Sequence, residues 1–260
     1  MKSLIKHLVN YLLESFGLEI KRKAKPVPSC NTLETVLQCI VASEKMMNIV
    51  QVGANDGSHS DPIHNFLMEN KEFTNALLIE PQPDIIQYLE NSYANHPNVT
   101  IFNGAIGDGD KLLLYRIKSK LWSYFHAPYL EDAPDYRAPS GFTSVNKQHV
   151  VNAAKEYLDD TLSPEDAVEE INVPCKRLYD LISDMDFPKK IHLLQVDTEG
   201  ADDQVIYACD IDELRPTIIN YEYKHLNSDR NAKLEDFLVS NGYKLYQWNA
   251  SDTLAIQRRK

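Results

Sequence analysis

No stretch of this chain approaches the roughly 20 consecutive apolar residues that a helix needs to cross a bilayer. Cysteine and positive charge are also scarce. The four cysteines, Cys30, Cys39, Cys175 and Cys209, are scattered, with no C-x-x-C pair and no nearby histidine at zinc spacing. A disulfide framework and a zinc finger are therefore not expected, and a reducing, cytoplasmic compartment is. Lys and Arg number 27 against 38 Asp and Glu, a formal charge of −11. Phosphates would be repelled, and no basic patch with interleaved aromatics offsets this, so nucleic acid is not an expected partner. Internal repeats and low-complexity segments are absent as well. What remains is a chain of 260 residues, 43% hydrophobic and 25% charged. That is ordinary for a globular protein and long enough to bury one large α/β core.

What is there begins with Asn48-Ile-Val-Gln-Val-Gly-Ala-Asn-Asp-Gly57. The β-branched run reads as a buried parallel strand. It stops at Gly53, followed by the small Ala54, the polar pair Asn55 and Asp56, and a second glycine, Gly57. Glycines there suit a tight turn where backbone approaches a ligand, since they accept φ > 0 and carry no Cβ. Glu80 lies 27 positions after Gly53, about one strand–helix–strand unit, in Leu77-Leu-Ile-Glu-Pro81. A carboxylate at the end of a second strand can take both hydroxyls of a ribose. Together these features read as the start of a nucleoside-binding α/β domain, with a mere tight loop in another α/β fold as the alternative.

Which nucleoside follows from what the turn lacks. The third glycine of G-x-G-x-x-G is missing, Asp56 would repel a diphosphate, and no G-K-[ST] follows. An acidic loop suits a cationic or zwitterionic ligand, and S-adenosylmethionine carries a sulfonium and an ammonium.

At this point the chain resembles the class I S-adenosylmethionine-dependent methyltransferases, specifically the FkbM family. The matching pieces are Val52-Gly-Ala-Asn-Asp-Gly57, Ile79-Glu-Pro81, Asn103-Gly-Ala105, Leu194-Gln-Val-Asp-Thr-Glu-Gly200 and Tyr221-Glu222. They cover roughly residues 48–225 in family order and spacing. The resemblance implies a Rossmann-like α/β fold: a mostly parallel seven-stranded sheet, helices on both faces and an antiparallel last strand. It implies S-adenosylmethionine bound by Gly53, Ala54, Asn55, Asp56 and Gly57, with Glu80 of the Glu80-Pro81 pair on the ribose. Gln82 is then close to the adenosine, and Asn103, Gly104 and Ala105 are near the adenine edge. The implied reaction is O-methylation of a hydroxyl on a sugar, glycan or glycosylated metabolite. Two other classes stay open: a nicotinamide-dependent oxidoreductase, disfavoured by the absent third glycine, and a non-catalytic member that binds a ligand or partner through the same fold.

Strands and helices alternate from residue 48 onward, which alone gives an α/β sheet. Strands are expected near 49–53, 75–80, 99–103, 111–117, 191–197, 217–223, 243–248 and 253–258. Helices are expected near 61–70, 83–95, 201–208 and 231–240. Residues 1–47 read as a helical extension and 48–260 as the methyltransferase domain. In the extension, Leu4, Ile5, Leu8, Leu12, Leu13 and Phe16 recur at helical spacing before a basic run at 21–25, and a second helix is expected around Thr32–Ala42. Residues 1–25 suit packing on the core or a second subunit, or weak docking on a membrane surface or partner. Residues 118–170 break the rhythm with Trp122, Tyr124, Phe125, Tyr129, Tyr136 and Phe142 among prolines. Long connections inside a domain are usually functional or mobile. This one reads as a lid whose aromatics cover an acceptor, or equally as a plug of a hydrophobic side cluster. Ser140-Gly-Phe-Thr-Ser144 resembles a serine-rich element at this place in the family.

Open α/β sheets bind ligands at the carboxyl ends of their strands. Asp197 and Glu199 follow one apolar strand and Glu222 and His225 another, so all four are expected to converge on one mouth. Methyl transfer to a hydroxyl needs alignment and removal of a proton. His225, with an ordinary pKa near 6.5, is the natural base candidate. Asp197 as a helix cap, Glu199 as a first-turn residue, Glu222 as a salt-bridge partner and His225 as a surface residue are the plainer readings. The set is compatible with a divalent cation, Mg or Mn rather than zinc, but nothing demands one. Among the other histidines, His59 and His126 are the pocket candidates.

Overall fold

The six residues of β1, Met47–Val52, are all buried, as a strand covered on both faces must be. We describe residues 32–258, apart from residue 131, in a computed structural model. The expected helix at 4–16, the basic run and Cys30 lie outside the described residues. β1 pairs in parallel with β2 (Thr74–Glu80) on one side and β7 (Leu193–Val196) on the other. β3 (Val99–Asn103) extends the sheet beyond β2, and β8 (Ile218–Glu222) extends it beyond β7. β10 (Asp252–Gln257) runs antiparallel to both β8 and the edge strand β9 (Tyr243–Gln247). The order is β3-β2-β1-β7-β8-β10-β9, the seven-stranded, mostly parallel sheet that the family resemblance implies.

Alternation along the strands builds two cores. Val50, Val52, Leu77, Ile79, Leu194 and Val196 face the helices Leu178–Asp184, Asp202–Tyr207 and Ser228–Ser240. Met47, Ile49, Leu78 and Leu193 face the helices Thr32–Val41, His64–Glu69 and Pro83–Ser92. Each such aliphatic side chain contributes about 1.5–3 kcal/mol on full burial. Among the described residues no helix is long and apolar enough to cross a membrane.

A second, three-stranded sheet stands beside the first. β5 (Lys111–Ile117) pairs antiparallel with β6 (Val168–Lys176), which also takes the short parallel β4 (Ala105–Ile106). β6 departs from the sequence reading, in which the aromatic-rich insertion ran to residue 170 and no strand followed until 191. Its residues alternate between buried and exposed, but Glu169, Glu170 and Pro174 mask that period. The insertion's aromatics resolve toward the side cluster. Phe125, Phe142 and Tyr157 pack on one another beneath the helix Lys147–Tyr157, with Trp122 at the cluster's edge.

Candidate active site

Parallel pairing in register delivers Gly53, Glu80, Asp197 and Glu222 to one edge of the sheet: Val52 is level with Ile79 and Val196, and Val196 with Tyr221. A cleft opens there, the usual place for a ligand in an open α/β sheet. The glycine turn and the ends of β2 and β7 line it, as do Ile106, Leu112 and Leu114 of the second sheet and residues 137–145 of the insertion.

Gly53 sits at φ +85°, and a Cβ on it would lie 1.8 Å from the Asp197 carbonyl oxygen. The chain can cross between β1 and β7 only without a side chain. Glu80 is buried, its Oε2 accepting the Asn55 amide at 2.9 Å and its Oε1 the Gln82 amide at 2.9 Å. Burial pushes its carboxyl above the ordinary pKa, against the pull of those amides. The Gln82 amide nitrogen donates to the Ser140 carbonyl at 3.1 Å, and the Thr143 hydroxyl donates to Gln82 Oε1 at 2.7 Å. The insertion is thereby pinned to the turn after β2.

Four of the expected cofactor residues lie elsewhere. Asp56 is buried behind the turn, where Oδ1 accepts the amides of Ser58 and His59, each at 3.1 Å, and Oδ2 faces His59 Nδ1 at 2.6 Å and the Tyr136 hydroxyl at 3.2 Å. Burial raises its pKa, but these hydrogen bonds outweigh it and hold the group below the ordinary value. Asp56 thus shapes the loop and does not line the cleft. Gly57 serves packing: a Cβ there would meet Leu89 Cδ1 at 2.5 Å and Tyr93 Cε2 at 2.6 Å. Ala54 belongs to the core beneath the sheet, and Asn103 ties β3 to β2 by donating to the Glu80 carbonyl at 2.9 Å. Gly53, Asn55, Glu80, Pro81, Gln82, Gly104 and Ala105 do line the cleft. His59 is spent on Asp56, and His126 borders a separate hollow.

Of the four expected catalytic residues, Asp197 and Glu199 line the cleft, and Glu222 and His225 stand beside it, next to Glu199. His225 Nε2 lies 3.4 Å from Glu222 Oε2 and 3.5 Å from Glu199 Oε2. Glu199 sits at φ +52°, a left-handed conformation costing about 1–2 kcal/mol in a residue with a Cβ. The turn that holds it is braced by Asp202, whose Oδ2 accepts from the Thr198 hydroxyl at 3.2 Å and the Gly200 amide at 3.3 Å. Arg230 adds a bond to the Gly200 carbonyl at 2.8 Å. Burial, with Asp252 nearby, pushes Asp197 up to about 6. Burial and the charge of Asp197 push Glu199 and Glu222 each up to about 8. Burial, then Lys224 and His149, hold His225 below its ordinary value. This mouth keeps one imidazole neutral beside two proton-rich carboxyls. The ligand atoms of Glu199, Glu222 and His225 lie within 4.8 Å of one another, close enough to hold one ion.

The expectations missed Arg137, Thr198 and Asp202. Arg137 lines the cleft from a segment whose sequence has no strand to fix its position. Asp202 was hidden as one of two consecutive aspartates opening a helix, where an acidic residue needs no other explanation.

A model of the methyltransferase FkbM domain matches residues 51–245. The chain belongs to the FkbM methyltransferase family. Its members' methyl donor, S-adenosylmethionine, makes this an S-adenosylmethionine-dependent methyltransferase domain. No curated protein matches this FkbM chain. Among solved structures it is similar to the O-methyltransferase TomG from Streptomyces achromogenes, solved with S-adenosylmethionine, at 10% identity over 97% of this chain and 89% of that one, TM-score 0.43. It is also similar to the precorrin-6y C5,15-methyltransferase from Geobacter metallireducens, at 12% identity over 90% and 91%, TM-score 0.39. Superpositions this loose add nothing about substrate.

Proposed function

We propose that this FkbM methyltransferase methylates a hydroxyl of a sugar, glycan or glycosylated metabolite, with His225 as the base. The observation that carries it is the imidazole flanked by Glu222 and Glu199 at 3.4 and 3.5 Å, beside the cleft that Glu199 lines. S-adenosylmethionine supplies a methyl group on a positively charged sulfur, and the sulfide that leaves needs no acid. Glu80 takes the ribose hydroxyls, and Ile106, Leu112 and Leu114 offer the adenine an apolar wall. As the acceptor oxygen bonds the methyl carbon, its proton passes to His225 Nε2, and Glu199 and Glu222 flank and position the imidazole that receives it. The depressed pKa of His225 keeps it unprotonated and ready near pH 7. The acceptor class rests on the family resemblance and on a mouth rich in hydrogen-bond acceptors. A cytoplasmic setting rests on the scattered cysteines.

His225→Ala should lower turnover by roughly 10²–10⁴ while cofactor affinity stays nearly unchanged. The assay is S-adenosylhomocysteine release across a panel of sugars and glycosylated metabolites. A second reading is favoured by the clustering of Glu199, Glu222 and His225. There a divalent cation lowers the acceptor's pKa, chelators abolish turnover, and Mg²⁺ or Mn²⁺ restores it. An enzyme indifferent to chelators that also survives His225→Ala would refute both versions and leave Asp197 or Glu222 as the base.

A further inference from the structure

Arg137 lines the cleft from the first turn of the short helix Arg137–Gly141, which Asn55 touches at Ser140, and Asp197 and Glu199 line the same cleft. Its Nε and Nη2 donate to the His59 carbonyl at 3.2 and 3.0 Å, which fixes the plane of the guanidinium. A guanidinium has five N–H donors, so three, both of those on Nη1 included, make no hydrogen bond among the described residues. The charge of Arg137 is felt at Glu80, Asp197 and Glu199. Yet among the described residues no carboxylate comes within ion-pair distance of it. A cation held rigid in an acidic cleft, with unspent donors, suits an anion brought by a ligand.

The cofactor brings one. Its adenosine end is matched by Glu80, Gln82 and the apolar wall, and its ammonium and sulfonium by Asp197 and Glu199. Its α-carboxylate has no counterpart among those groups, and acids alone would repel it.

We propose that Arg137 anchors the α-carboxylate of S-adenosylmethionine, so that the insertion, and not only the glycine turn, selects the amino-acid end of the cofactor. This rests on the cofactor reading of the cleft. The test compares S-adenosylhomocysteine with 5′-methylthioadenosine, which keeps the nucleoside and lacks the amino acid. Arg137→Gln should weaken S-adenosylhomocysteine by at least about tenfold, the scale of a lost charge-assisted hydrogen bond, and leave methylthioadenosine within about twofold. Arg137→Lys, which keeps the charge without the fork, should fall between. Equal losses for both ligands would reduce Arg137 to a brace on His59 and overturn the proposal. So would unchanged S-adenosylhomocysteine affinity with a raised acceptor KM, which would give the guanidinium to an anionic acceptor. If the unaltered protein binds neither nucleoside, the cofactor reading itself fails, a result distinct from either.

Discussion

Glu199 and Glu222 ionise against burial, against Asp197 and, for Glu222, against Glu199, and both are pushed up to about 8. A carboxyl whose folded-state pKa is raised binds its proton more tightly in the native than in the unfolded chain. Its contribution to stability is complete below the unfolded value of about 4.5 and is lost as pH rises through about 8. Melting temperature should therefore decline between about pH 5 and pH 8, and Glu222→Gln should flatten that decline while impairing turnover. Parallel melting curves for the two proteins would contradict the assignment. The sequence already showed Asp197, Glu199, Glu222 and His225, because each follows an apolar run that fixes where it leaves the sheet. It did not show which way a side chain turns once past the strand. Asp56 follows the same glycine as Asn55 yet folds back onto Ser58 and His59.

At the scale of elements, the segment 137–145 is a wall of the cleft held by side-chain bonds as well as by the backbone pairing of Ser144 with Tyr115. Gln82 contributes two of those bonds, to Ser140 and from Thr143, and Asn55 shares another with Ser140 at 3.1 Å. Tyr136 completes the attachment by stacking on Tyr88 with ring centroids 3.8 Å apart. Gln82→Ala should speed amide hydrogen exchange in 137–145 by about tenfold or more, since each lost bond is worth roughly 1 kcal/mol, while exchange in β1 and β7 stays put. Unchanged exchange in that segment would show that the Gln82 bonds do not hold the wall. The wall was only half legible beforehand. Ser140–Ser144 stood out through a family likeness, while the aromatics fitted a lid and a side-cluster plug equally well; Phe125 lies in the core of a side cluster and Phe142 packs against it. Aromatic content reports burial as readily as ligand stacking, and only the partner surfaces decide between them. β6 was illegible for a related reason: a strand on a small side sheet buries few residues, so its period is easily masked.

The whole molecule follows from parallel pairing. Four parallel neighbours flank or extend β1, every one presents its carboxyl end to the same edge, and the cleft forms where Gly53 lets β1 pass close to Asp197. The middle of the sheet was legible because β1, β2, β7 and β8 are apolar runs that are almost wholly buried. Residues Thr74–Glu80 and Val99–Asn103 lie within a residue of where the pattern put them. The cofactor site was legible at Glu80, which ends one of those strands, and less so wherever loops from different elements meet.

The central claim is that this edge binds S-adenosylmethionine with Glu80 on the ribose, and calorimetric titration of S-adenosylhomocysteine tests it most directly. The unaltered protein should bind one equivalent, and Glu80→Ala, with its fold verified by thermal melting, should bind at least about tenfold more weakly as charge-assisted hydrogen bonds to the ribose are lost. A well-folded protein that binds neither S-adenosylmethionine nor S-adenosylhomocysteine, or a Glu80→Ala variant that binds as tightly as the original, would contradict it.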